Sequence, residues 1–158
     1  MKYRSLSIEE LELLEKEFVN FLAVNGIDAP LWVEIKENDT RLMLTLIEQF
    51  SDMVLEASLQ KIHYAEFAAA KSLQAIHFLP EKMICAGIRL SSDSNIDLTK
   101  PEHFKQLASG EIALNAKYFV TEQPYTKSRE EDIFLLLETG FSIADSKLFE
   151  VLVAAQNK

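Results

Sequence analysis

The residues best suited to chemistry in this chain are Glu66 and His77. They stand in two apolar runs, 62–70 and 73–79, separated by Lys71 and Ser72. If Lys71 and Ser72 form a hairpin loop, Ala70 faces Leu73 and Glu66 faces His77. A carboxylate beside an imidazole can orient it as a general base, so the two would form an acid–base pair. The geometry depends on register, because a slip of one residue sends the two side chains to opposite faces. The plainer reading is a structural or solvent-facing polar pair, since such pairs also occur in structural networks.

A second constellation is Tyr125, Thr126, Lys127, Ser128 and Arg129. It leads into a helix whose free N–H groups favour anions. Lys127 and Arg129 would supply charge, and Thr126 and Ser128 hydroxyl donors, for a phosphate or carboxylate. Against this, Ser128 reads as the helix cap with Glu131 completing a capping box. The acids Glu130, Glu131 and Asp132 already complement the helix dipole.

Metal ligation finds little support. His63, His77 and His103 could join Cys85 or Glu66, but they form no close ligand-spaced cluster of the kind zinc needs. Cys85 lies in the apolar run Ile84-Cys85-Ala86-Gly87-Ile88, where a free cysteine acts as a small hydrophobe. Asp93, Asn95 and Asp97 repeat the first half of a calcium loop. The pattern then fails: Leu98 stands where a turn glycine is needed, and Phe104 where a bidentate glutamate is needed. No metal or cofactor is expected. The sequence contains no glycine-rich phosphate loop, no G-x-G-x-x-G, no G-x-S-x-G and no H-E-x-x-H.

The elements that must position these residues read as follows. Ser7 and Glu10 form a capping box, and Ile8, Leu11, Leu14, Phe18 and Phe21/Leu22 recur at helical spacing up to Asn25-Gly26. Asp28 and Pro30 start a second, shorter helix with Trp32 and Ile35 buried, broken at Asn38-Asp39. A third runs to about Leu59, with Met43, Leu46/Ile47, Phe50, Met53/Val54 and Ala57 facing inward.

The runs 62–70, 73–79 and 83–90 predict an antiparallel meander. A helix over 64–74 is the alternative, because Ala68, Ala69 and Ala70 favour helix. Pro80 cannot take the positive φ of a type I′ turn, so the second hairpin is expected to have a longer loop. Gly87, inside a strand, suggests a bulge or a close backbone approach. A loop covers 91–97, and a short helix ends at Ser109-Gly110. Residues 114–121 alternate as a fourth strand, and helices follow to Gly140 and from Asp145 to Ala155. The expected fold is thus α+β, with a small antiparallel sheet of three to four strands packed with about six helices, three of them N-terminal. One domain over 1–158 is expected.

The chain has 158 residues and a net charge of −9. Residues 1–60 carry −7 of it, from 12 acids and 5 bases. Such a field repels polyphosphate backbones and disfavours nucleic acid as a partner. The longest aliphatic or aromatic run, 133–137, is far short of the roughly 20 residues a membrane span needs. One cysteine allows no internal disulfide and favours a reducing compartment. The N-terminus lacks a signal-peptide core, so a cytoplasmic location is expected.

The segments Met1-Lys-Tyr-Arg-Ser-Leu6, Phe18-Val-Asn-Phe-Leu-Ala23, Phe50-Ser-Asp-Met-Val-Leu-Glu56 and Asn95-Ile-Asp-Leu-Thr99 resemble a family of short, uncharacterised bacterial proteins. The resemblance spans most of the chain. It implies a bacterial cytoplasmic protein, and carries over neither a reaction nor catalytic residues.

These observations lead to a non-enzymatic binding or assembly domain. Both alternating sets of the meander are largely apolar, so both faces need cover, and a second subunit of a homodimer could supply what the helices leave. The alternatives are a small enzyme using Glu66 and His77, and an anion binder at 125–129.

Overall fold

The computed structural model describes residues 1–109 and 116–157. Contacts divide the chain into two compact units, Met1–Gln60 and Lys61–Lys158.

The first unit holds α1 (Ile8–Leu13), α2 (Glu15–Val24), α3 (Ala29–Asn38) and α4 (Thr40–Gln60). The Ser7 hydroxyl accepts from the Glu10 N–H at 3.1 Å, and the Glu10 carboxylate accepts from the Ser7 N–H at 3.0 Å. The Arg4 guanidinium also donates to Glu10, and chiefly this bond holds the carboxyl down to about 2. The expected continuous first helix is interrupted at Leu14 (φ −108°, ψ 23°). Its N–H is shared between the carbonyls of Glu10 and Leu11, which tightens the turn and separates α1 from α2.

Gly26 takes φ 76°, and the N–H groups of Gly26 and Ile27 return to Ala23 and Leu22. This is the left-handed stop anticipated for that glycine. Asp28 caps α3 through the Leu31 N–H at 2.9 Å, and Asp39 caps α4 through the Leu42 N–H at 3.0 Å.

These helices have an apolar cluster of their own. Leu22, Ile35 and Leu46 are buried together, with Phe18, Phe21, Trp32 and Met43 packed around them. Phe50 is fully buried, its ring 4.9 Å from that of Phe18. The inward face of α4 differs from expectation: Met53 and Ala57 are exposed and Ser51 is buried. Segment 2–6 runs beside this part of α4 and accounts for the rotation. The Leu6 N–H donates to the Ser51 hydroxyl at 2.9 Å, and Asp52 accepts from the N–H groups of Lys2 and Tyr3.

The second unit is built on an antiparallel sheet of order β4-β3-β2-β1-β5. Its strands are β1 (Tyr64–Ala69), β2 (Ser72–Phe78), β3 (Lys82–Leu90), β4 (Ala116–Pro124) and β5 (Ser142–Ala144). The described residues thus give five strands and seven helices, against an expected three to four and about six. The extra strand, β5, pairs with β1 and is only three residues long, too short to show a period. The helical alternative for 64–74 is excluded, because those alanines lie in β1 and its turn. Of the fourth strand, residues 114 and 115 lie outside the described set, as does Gly110 at the expected helix end.

The register differs from expectation in an instructive way. Ala69 pairs with Ser72, so the first loop is Ala70-Lys71 rather than Lys71-Ser72. Moving a hairpin loop by one position changes every pairing by two, which leaves each side chain on its original face. Tyr64 now faces His77, and Glu66 faces Ala75. The second hairpin closes on Pro80-Glu81, with the Leu79 N–H donating to the Lys82 carbonyl at 2.9 Å, so the longer loop is not found. Among the described residues no non-glycine has positive φ, so both loops use turns that proline and alanine can adopt.

Helices α5 (Pro101–Ser109), α6 (Arg129–Glu138) and α7 (Lys147–Gln156) complete the unit. Leu148 and Leu152 of α7 cover one sheet face, burying Leu73, Ala75, Ala86, Ile88 and Leu90. On the other face Ala65, Ile76, Phe78 and Met83 are buried. The end of α6 approaches this face, with Phe141 packed 5.5 Å from Phe67. Pairing is continuous through Gly87, so there is no bulge. The Phe119 ring lies directly on it instead: a Cβ there would be 2.2 Å from the ring.

Candidate functional site

A cleft of about 350 Å³ opens at the β1 side of the sheet. Glu66, Phe67 and Ala68 of β1 and Leu73 of β2 form one wall, and Leu98 to Pro101 another. Asp145, Lys147 and Leu148, around the start of α7, close it. Each wall follows from local structure. Strand alternation puts Glu66, Ala68 and Leu73 on the same face. The pairing of Tyr64 with Ala144 brings Asp145 to the end of β1.

The wall at 98–101 is pinned by the β1–β2 hairpin turn. The Leu98 N–H donates to the Ala70 carbonyl at 2.9 Å. The Lys71 ammonium donates to the Ile96 carbonyl at 2.9 Å and to that of Ser94. Lys71, read at first as a loop residue only, thereby positions this wall.

Most of the lining is apolar, with four charged groups. Among the described residues no hydrogen bond or ion pair engages the side chains of Glu66, Lys100 or Lys147. Asp145 accepts from the Lys147 backbone N–H at 3.0 Å. Burial first, and then the negative charge of Asp145, push the Glu66 carboxyl above its ordinary range. A small, mainly apolar recess with a few convergent polar groups is the usual form of a ligand site.

Glu66 and His77 share a sheet face but stand diagonally, and no hydrogen bond joins them among the described residues. His77 instead stacks on Tyr64, with ring centroids 4.3 Å apart, and meets Phe149 edge-on at 5.4 Å. Burial first, then the charges of His63 and Arg129, lower its pKa. The ring is a neutral member of an aromatic cluster outside the cleft lining.

The stretch at 125–129 is occupied from within the chain. The buried Asp132 carboxylate accepts from the Thr126 N–H at 2.8 Å, the Thr126 hydroxyl at 3.0 Å and the Lys127 N–H at 3.3 Å. Tyr125 donates to the Leu79 carbonyl at 2.5 Å, and Arg129 to the carbonyls of Ile62 and Phe78. Ser128 caps α6 at the Glu131 N–H, 3.1 Å away. The Glu131 carboxylate accepts a hydrogen bond from the Ser128 hydroxyl rather than reaching back to the cap backbone, so only half of the expected capping box forms. The anion held by the Thr126 and Lys127 donors is the protein's own Asp132 carboxylate.

Among the described residues, no group of three or more His, Cys, Asp or Glu converges as metal ligands. Asp93 bonds Ser91, and Asp97 bonds Thr99, as turn residues do. His103 lies with Nδ1 2.8 Å from the Asp97 backbone nitrogen. Burial pushes the Cys85 thiol up, which disfavours the thiolate. Among the described residues no helix is long and apolar enough to cross a membrane.

Of the residues first singled out, only Glu66 enters the cleft. Lys100, Asp145 and Lys147 were missed as site residues. Asp145 carried a signal, since it precedes an apolar helical stripe, but nothing in its spacing pointed to Glu66. No curated protein and no solved structure matches the chain. A family model covers residues 1–157, almost the whole sequence, and the resemblance seen in its short motifs holds throughout: the chain belongs to the family of unknown function DUF6495.

Proposed function

We propose that this chain is a non-enzymatic binding domain of a bacterial cytoplasmic protein, with the cleft over Glu66 as its ligand site. The observation that carries this reading is the recess in which the side chains of Glu66, Lys100 and Lys147 have no hydrogen-bond or ion-pair partner among the described residues. Glu66 is half-buried near Asp145 with no hydrogen-bond partner among the described residues, a cost to the fold that a ligand can offset. A binding role is favoured over catalysis because, among the described residues, no base or nucleophile is bonded to Glu66, and His77 is held in an aromatic stack. The single cysteine fits a reducing compartment, and the net charge of −9 disfavours nucleic acid. The test is a metabolite-library screen by amide NMR on the intact protein. Hits that shift Glu66, Ala68, Leu98 and Leu148 support the reading; hits that map elsewhere, or a blank screen, overturn it.

A homodimer is a second reading, favoured by a different observation from the sheet. The apolar sheet positions are already buried within one chain, whereas Ile8, Leu13, Val19 and Val24 of α1 and α2 are each more than half exposed. Exposed aliphatics on two successive helices can serve a subunit contact. Light scattering at micromolar concentration tests it, and a strict monomer removes it.

A further inference from the structure

The cleft carries charge of both signs, and the arrangement restricts what it would bind. Glu66 comes from β1, Asp145 from the turn after β5, Lys147 from the first turn of α7, and Lys100 from the segment before α5. All four line the same recess of about 350 Å³, at the small end of ligand-site volumes. Opposite charges sharing a recess would normally pair. Here, among the described residues, neither lysine forms an ion pair with either carboxylate. Burial first, and then the nearby Asp145 charge, disfavour the ionised Glu66, so the two acids lie near one another in the recess. The recess thus brings together two acids and two lysines, and its lining also includes the aliphatic Ala68, Leu73, Leu98 and Leu148.

We propose that the cleft selects a small zwitterion, an amino-acid-sized ligand whose ammonium group is taken by Glu66 and Asp145 and whose carboxylate is met by Lys100 and Lys147. The aliphatic walls take an apolar side chain. The inference rests on the reading of the cleft as a ligand site and adds the class of ligand. A cation beside Glu66 and Asp145 relieves the repulsion between the two carboxylates, so the ammonium group provides most of the binding. The lysines are more exposed, and solvent screens them, so the carboxylate contributes less.

Three probes that share one branched aliphatic body separate these contributions: L-leucine, isoamylamine and 4-methylpentanoate. Each is titrated into the intact protein at millimolar concentration and followed by amide NMR. L-leucine and isoamylamine are expected to shift the cleft residues, leucine more tightly, and 4-methylpentanoate to bind weakest. Glu66→Gln should weaken both amines about tenfold, the loss of a charged hydrogen bond of about 1.4 kcal/mol. Lys100→Met with Lys147→Met should bring leucine to the affinity of isoamylamine and leave isoamylamine unchanged. The comparison among probes on the unaltered protein needs no variant to fold. If 4-methylpentanoate occupies the cleft as tightly as the amines, the zwitterion inference fails while the site stands. If none of the three shifts the cleft, the inference also fails, and the library screen decides the site separately. Leucine binding unchanged by Glu66→Gln would equally overturn it.

Discussion

Asp132 is the residue whose removal tests the account of the 125–129 stretch most directly. Its carboxylate is buried, at 6% exposure, and accepts from two backbone N–H groups and one hydroxyl. Asp132→Ala leaves those donors without an acceptor. The Thr126 residue is exposed, so its hydroxyl can turn to water, and the cost falls on the two N–H groups. A buried donor left unsatisfied costs about 1–3 kcal/mol, and partial access to water puts each of these at the lower end. The expected loss is about 2–3 kcal/mol in urea unfolding. Asp132→Asn keeps one acceptor oxygen and should lose about 1 kcal/mol. The alanine variant also vacates a carboxylate-shaped site at the start of α6, so formate should restore part of its stability by mass action. Sodium chloride at the same ionic strength should not. If Asp132→Ala lies within about 0.5 kcal/mol of the unaltered protein, as for an ordinary surface change, the reasoning is wrong. It is equally wrong if formate and chloride act alike.

Two further predictions come from the sheet. Gly87→Ala would place a methyl 2.2 Å from the Phe119 ring, which must then leave its place over the strand and its contact with the Arg89 guanidinium. The cost should be about 1–3 kcal/mol, and Phe119→Ala should abolish most of it; an additive double-mutant cycle would contradict the contact. Glu66 gives a pH signature. Its carboxyl is raised in the folded state by burial and by Asp145, so the fold binds this proton more readily than the unfolded chain does. Ionisation therefore costs stability as pH rises through the raised pKa. Glu66→Gln should melt higher than the unaltered protein at neutral pH, with the difference closing as pH falls to the ordinary carboxylate range. A variant that melts lower at neutral pH would contradict the assignment.

Features set by neighbours along the chain were legible in the sequence. The Ser7 and Asp28 caps depend on groups three residues away, and the stop at Gly26 on one residue's freedom to take positive φ. The α+β class and the meander followed from three strand-length apolar runs separated by turn residues, after a stretch of helical spacing. The close approach at Gly87 was anticipated from a missing side chain, although the ring that makes it was not. The lower boundary of the sheet unit coincides with the charge shift after residue 60.

What required the tertiary structure depends on distance in space between residues far apart in sequence. A loop shifted by one position gives nearly the same apolar pattern, so periodicity could not choose between the two loops. That choice set Tyr64 rather than Glu66 against His77. β5 is too short to carry a pattern and exists because β1 offers it an edge. Asp132 looked like one acid of three that complement a helix dipole, and only the fold turned it inward onto the backbone of 126 and 127. The cleft is the clearest case. Glu66, Lys100, Asp145 and Lys147 share no spacing that a sequence can display, and they meet because β5 pairs with β1, Lys71 holds the 94–98 segment, and α7 starts beside both.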